Sequence, residues 1–169
     1  MADLLAFLSS PTGLMLLGGY YALLVIGERL AYWVKGAAYD DADARCSVGL
    51  NLTNSMFNLM QSLLLPLALY AVVWDNWRLI DNPALWLAIP VAFLWHDFAY
   101  YCEHRMGHRV GFFWAFHSIH HSSNEFNHST AARGFLLDGV FNTPWHLPAA
   151  LIGIPPPVYF GVVVLKNAY

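Results

Sequence analysis

ALWLAIPVAFLWHDFAYYCEHRMGHRVGFFWAFHSIHH, residues 84–121, is apolar as far as Trp95 and then turns polar without losing helical spacing. At about 100° per residue, Asp97, Tyr101, His104 and His108 fall within roughly 60° of one another. One helix face therefore presents a carboxylate, a phenol and two imidazoles. His104 and His108 (H-R-M-G-H) stand at i, i+4, a spacing at which two rings can hold one metal ion. Alone, such a pair reads equally as two surface histidines at a helix end. The run His117-Ser118-Ile119-His120-His121 follows, and His117 and His121 repeat the spacing with His120 beside them. Five imidazoles near a membrane surface are costly unless paired or ligated. The combined set His104, His108, His117, His120 and His121 points to a metal site.

The rest of the chain sets the context. Of 169 residues, 58% are hydrophobic and only 11% charged, and the mean hydropathy is +0.45. Soluble domains carry about 25% charged residues, so this balance argues for an integral membrane protein. The net charge of −3 offers no basic field for nucleic acid. Two cysteines, Cys46 and Cys102, are too few for a disulfide framework or a four-thiolate metal site. Residues 13–34 form a first apolar stretch of about the 20 residues needed to cross a bilayer core, read as a retained anchor. A polar link, 35–46, precedes a second apolar run, 48–74, which Pro66 is expected to bend. A short turn, 75–83, leads into the third run at 84. The polar heart spans 103–133. Residues 135–165 are apolar again but interrupted by Pro144, Pro148 and Pro155-Pro156-Pro157, which predicts a re-entrant hairpin rather than one straight helix. The fold class expected is all-α integral membrane: a small transmembrane helical bundle, one domain over 1–169, with a histidine-rich helical region. Arg29, Lys35 and Arg45 on one link and Arg105, Arg109 and Arg133 on the other lie two crossings apart, against Arg78 alone on the opposite face. This bias puts the histidine cluster on the cytoplasmic face.

All-imidazole ligation suits zinc, copper, iron or nickel. The zinc-protease pattern H-E-x-x-H fails because Arg105 stands where the glutamate is required. Five imidazoles exceed what one tetrahedral zinc uses, which favours two metal ions. Haem ligation and a metal-transport path remain alternatives, giving an electron carrier or a transporter without oxygenase activity. Haem calls for single histidines on facing helices, and transport for polar residues along several spans.

Asp97-Phe98-Ala99-Tyr100-Tyr101, His104-Arg105-x-x-His108, Trp114-x-x-His117-x-x-His120-His121-Ser122-Ser123 and Asn127-x-Ser129-Thr130-Ala131-x-Arg133 together resemble the fatty acid hydroxylase/sterol desaturase superfamily. The last two runs are similar to its alkylglycerol monooxygenase-like branch. The resemblance implies a membrane non-haem di-iron oxygenase with three cytoplasmic histidine boxes. His104 and His108 then form the first box, and His117, His120 and His121 the second. The third, of H-x-x-H-H type, is not among these 169 residues, so the chain is expected to be the N-terminal part of a longer protein, with weak metal retention and no turnover by itself. The implied reaction is O2-dependent hydroxylation or desaturation of a fatty acyl, sterol or ether lipid. A chain without a Gly-rich dinucleotide fingerprint takes electrons from outside: a reductase, a b-type cytochrome, a ferredoxin or a reduced pterin. Departures from the family pattern include Cys102-Glu103 in place of an aromatic pair, and His128 and His96.

Three residues are candidates for supporting the imidazoles: Asp97, His128 and Arg133. Asp97 either orients His104 through its second ring nitrogen or pairs with a base such as Arg105. Arg133 pairs with carboxylates or lipid phosphates. Asn127 and Thr130 are expected to bond backbone near the second histidine group. His96 lies about 100° off the ligand face and is expected to be a hydrogen-bonded histidine rather than a ligand.

Overall fold

The structure is a computed structural model, and it describes residues 7, 10–64, 66–81, 83–131, 133–134 and 138–166. All regular elements among these are helices. α1 (Pro11–Val34) opens with Ser10, whose hydroxyl accepts from Gly13 N at 3.2 Å, and with proline at its first position. Gly36, at φ +63°, turns the chain out of it. α1 is the one helix among the described residues both long and apolar enough to cross a bilayer, and none of its apolar window is buried against the rest of the chain.

Asp40 starts α2 (Asp41–Leu64), its carboxylate accepting from Ala42 N and Asp43 N, both at 2.9 Å. α3 (Pro66–Trp77) follows. The run expected as one bent span is thus two helices meeting at Pro66, because proline removes a helical hydrogen bond and is best tolerated at a first position. α4 (Leu85–Arg109) runs unbroken from the apolar third run into the polar segment, as its spacing predicted. Extended backbone at Val110 (φ −115°, ψ 119°) ends it and starts α5 (Gly111–His117), which folds back on α4. α6 (His128–Ala131) is a single turn.

The proline-rich segment forms two helices, α7 (Asp138–Ile152) and α8 (Pro156–Lys166), rather than one straight helix. Its predicted start, 135–137, lies outside the described residues. The break falls at Gly153 (φ +99°), while Pro144 and Pro148 sit inside α7. A Cβ on Gly153 would collide with the Ile80 carbonyl oxygen, so that turn requires glycine twice over.

The core lies where α3, α4, α7 and α8 meet. Ala88 and Ala92 on α4 face Ala149 and Ala150 on α7, small side chains that let the backbones approach. Tyr70 stacks on Tyr159 with centroids 5.1 Å apart. Polar groups then lock the turn between α7 and α8 in place. Tyr70 OH donates to Ile154 O at 3.0 Å, Trp74 Nε1 to Gly153 O at 3.2 Å, and Leu79 N to Leu151 O at 2.8 Å. This packing holds α4 rigid, and α4 carries the first histidine pair to its far end.

Candidate metal centre

Four imidazoles converge between the end of α4 and the end of α5. The ligand nitrogens of His104, His108, His117 and His121 all lie within 4.8 Å of one another. Successive Nε2 atoms are 3.1 Å apart for His104 and His108, 3.3 Å for His108 and His117, and 3.2 Å for His117 and His121. Donors about 2.0–2.1 Å from one ion in tetrahedral array would stand roughly 3.3 Å apart, so this spacing fits nitrogens around a metal. The i, i+4 pairing within α4 supplies two rings. The Val110 turn brings the second pair opposite them.

That close approach depends on Gly107. A Cβ there would lie 2.9 Å from His117 Cγ. The glycine within H-R-M-G-H is therefore the floor on which the His117 ring rests, a role its spacing did not announce. Trp114 covers the group from the side, stacked on His121 at 5.9 Å and tilted on His108 at 5.6 Å. Burial first, and then the neighbouring imidazoles, lower the His117 pKa to about 4; the same causes lower His104 and His121. Neutral rings leave one nitrogen lone pair each free for a metal.

His120 stands beside the four, its ring 4.9 Å from that of His121. Its Nδ1 is 3.1 Å from the Arg133 carbonyl oxygen, so Nδ1 carries the proton and Nε2 keeps the lone pair. The Arg133 side chain is buried and fully engaged. Nε donates to Ser47 Oγ at 2.8 Å, Nη1 to Ser122 Oγ at 2.8 Å, and Nη2 to Asp43 Oδ1 at 2.6 Å. Ser123 Oγ donates to the other oxygen of Asp43 at 2.8 Å. One guanidinium thus ties the start of α2 to the histidine loop, the carboxylate pairing expected for it.

The other two supporting candidates are placed elsewhere. Asp97 pairs with Lys166 of α8, so its partner is a base, as the alternative reading had it, but from α8 rather than Arg105. Arg105 donates to Tyr101 OH at 3.1 Å instead. His128 turns to Glu28 of α1, whose carboxylate accepts from its backbone N at 2.7 Å and lies 3.2 Å from its Nδ1. Asn127 caps α6, its Oδ1 accepting from Ser129 Oγ at 2.6 Å and Thr130 N at 3.1 Å. His128, Glu28, His120 and His121 share the lining of an open cavity of about 610 Å³ beside the cluster. His96 is buried away from the cluster and stacks on His146. Glu28, Asp43, Ser47, Ser122 and Gly107 were missed as site residues. The link's acidic run was visible, but its partner was not.

Residues 89–169 match the family model of the fatty acid hydroxylase. Human alkylglycerol monooxygenase is 36% identical over 150 residues, covering 83% of this chain and 32% of that protein. The Xenopus tropicalis alkylglycerol monooxygenase is 33% identical over 148 residues, 83% of this chain and 31% of its own length. The Caenorhabditis elegans alkylglycerol monooxygenase is 48% identical over 69 residues, 38% of this chain and 13% of its own length. The chain spans about a third of the length of these curated relatives where it matches most widely. No solved structure matches it. The histidine spacing, the family match over residues 89–169 and these relatives together make the chain similar to the fatty acid hydroxylase family and, among the relatives, to the alkylglycerol monooxygenases.

Proposed function

We propose that the chain carries the metal-binding part of a membrane non-haem di-iron oxygenase acting on a lipid C–H bond. The observation that carries this reading is the convergence of four imidazoles, at metal-ligand spacing, in a chain similar to this family. His104, His108, His117 and His121 hold one iron ion. His120, with its lone pair set by the Arg133 carbonyl, serves a second ion together with donors from outside the 104–121 segment. Bound iron supplies the activation of O2, with two electrons from an external donor protein or reduced pterin.

The residues of this chain do the rest. Gly107 and Trp114 fix the His117 and His121 rings, and the Arg133–Asp43 pair fixes the loop that bears them. The cavity beside the cluster, lined by Glu28, His128 and Phe126 among others, is open to admit a lipid headgroup. α1 anchors the assembly in the bilayer, with the cluster on the cytoplasmic face, where an acyl, sterol or ether lipid is presented from the membrane. An alkyl ether is favoured, because the relatives are named for alkylglycerols.

Anaerobic titration with ferrous iron, followed by Mössbauer spectroscopy, tests the site. The expected result is iron bound by imidazole nitrogen and lost in the His104→Ala and His117→Ala variants. No iron uptake, or uptake undiminished in both variants, would sink the proposal. An intense Soret band in the purified protein would instead favour a haem carrier.

A further inference from the structure

A second group of titratable side chains lies buried between α4, α7 and α8, and the metal site makes no use of it. Tyr159 is fully buried, and its hydroxyl stands 2.6 Å from His146 Nδ1. His96 stacks on His146, with centroids 5.7 Å apart and planes 28° apart. His96 is 8% exposed, and its buried Nδ1 has no hydrogen-bond partner among the described residues. Tyr70 stacks on Tyr159, yet its own hydroxyl donates to the Ile154 carbonyl oxygen.

The two phenols differ in the one respect that matters for oxidation. Removing an electron from a phenol makes its O–H strongly acidic. The step is accessible only where a base takes the proton as the electron leaves. An imidazole nitrogen is such a base and a peptide carbonyl is not. Of the stacked pair, Tyr159 has the base and Tyr70 does not.

We propose that Tyr159 and His146 form a proton-coupled redox pair that surrenders one electron to an oxidised metal centre at the histidine cluster. One electron leaves the Tyr159 ring and reduces that centre by one equivalent. The phenolic O–H breaks and an N–H forms at His146 Nδ1, leaving a neutral phenoxyl radical and an imidazolium. The external electron donor returns the electron, and the proton goes back to oxygen. His96 adds a second buried imidazole with a free nitrogen beside the imidazolium. It also lies eight residues before His104 on α4, about 12 Å of helical rise from the cluster. The pair discharges oxidising equivalents not spent on substrate and so spares the ligating imidazoles. The inference rests on the proposed iron site for its oxidant.

The test needs no iron. The full chain in detergent micelles is oxidised by a photogenerated ruthenium(III) polypyridyl complex, frozen, and read by electron paramagnetic resonance. The expected result is a persistent phenoxyl signal whose hyperfine pattern changes when 3,5-difluorotyrosine replaces Tyr159, a substitution that keeps the hydroxyl and the ring stack. Tyr159→Phe abolishes the persistent signal, Tyr70→Phe leaves it, and His146→Leu lowers its yield by at least an order of magnitude. A signal indifferent to fluorination at 159, or none at all, would overturn the proposal while leaving the iron titration untouched. Conversely, loss of iron binding would leave this result standing.

Discussion

Gly107 and His117 meet so closely that one methyl group separates an ordered site from a displaced one. In Gly107→Ala the new Cβ would lie 2.9 Å from His117 Cγ, and the ring must move. Misplaced supports of metal ligands typically cost 10–100-fold in affinity, and a loss of that order is expected here. Isothermal titration with ferrous or cobaltous ion, beside a circular dichroism spectrum showing unchanged helix content, checks it; wild-type affinity would show that the ring does not rest on Gly107. At this scale the sequence was partly legible. The i, i+4 pairs announced the ligands, because helical spacing alone brings them together. The supports were hidden. Glu28 reaches His128 across 100 residues and Asp43 reaches Arg133 across 90, and no local pattern encodes a partner so distant. Asp97 left two readings open for a related reason: it shares a face with His104, but the basic side chain that pairs with it is on α8, 69 residues away.

Whole elements depend on single contacts in two places. Arg133 is 4% exposed at its side chain and bridges α2 to the histidine loop. Arg133→Met leaves the Asp43 carboxylate without its cation, a change that costs about 3 kcal/mol in a buried pair. Chemical denaturation should show that loss, together with weakened metal binding, because His120 bonds the same residue's carbonyl. Adding Asp43→Asn should recover part of the stability; a double variant as unstable as the sum of the singles would deny the coupling. Gly153 governs the turn between α7 and α8. Gly153→Ala is expected to cost at least about 2 kcal/mol, from the positive φ and the collision with Ile80 O, seen as a lowered unfolding midpoint. Proline content predicted a break in this segment, but not where it falls. Proline marks where a helix is weakened. Packing of Ala149 and Ala150 against α4 carries α7 past Pro144 and Pro148, and the glycine sets the corner.

The arrangement of the whole molecule follows from which ends are tied together. Glu28 near the end of α1, Asp43 at the start of α2 and the 118–133 loop are joined by hydrogen bonds, so the first link and the histidine cluster share one face. The basic residues of both segments lie on that face, which predicts that it is cytoplasmic. α1, with Leu16, Leu23, Ile26 and Leu30 exposed along its length, is the candidate span among the described residues. Cys46 is exposed in α2, close to this face, and reports on it directly once Cys102 is replaced by alanine. A membrane-impermeant maleimide should label Cys46 in inside-out vesicles and leave it unlabelled in intact right-side-out membranes until they are permeabilised. Labelling from the outside of sealed right-side-out membranes would reverse the orientation. It would also put the metal site on the side away from cytoplasmic reductants, so the electron donor would have to be sought in the other compartment.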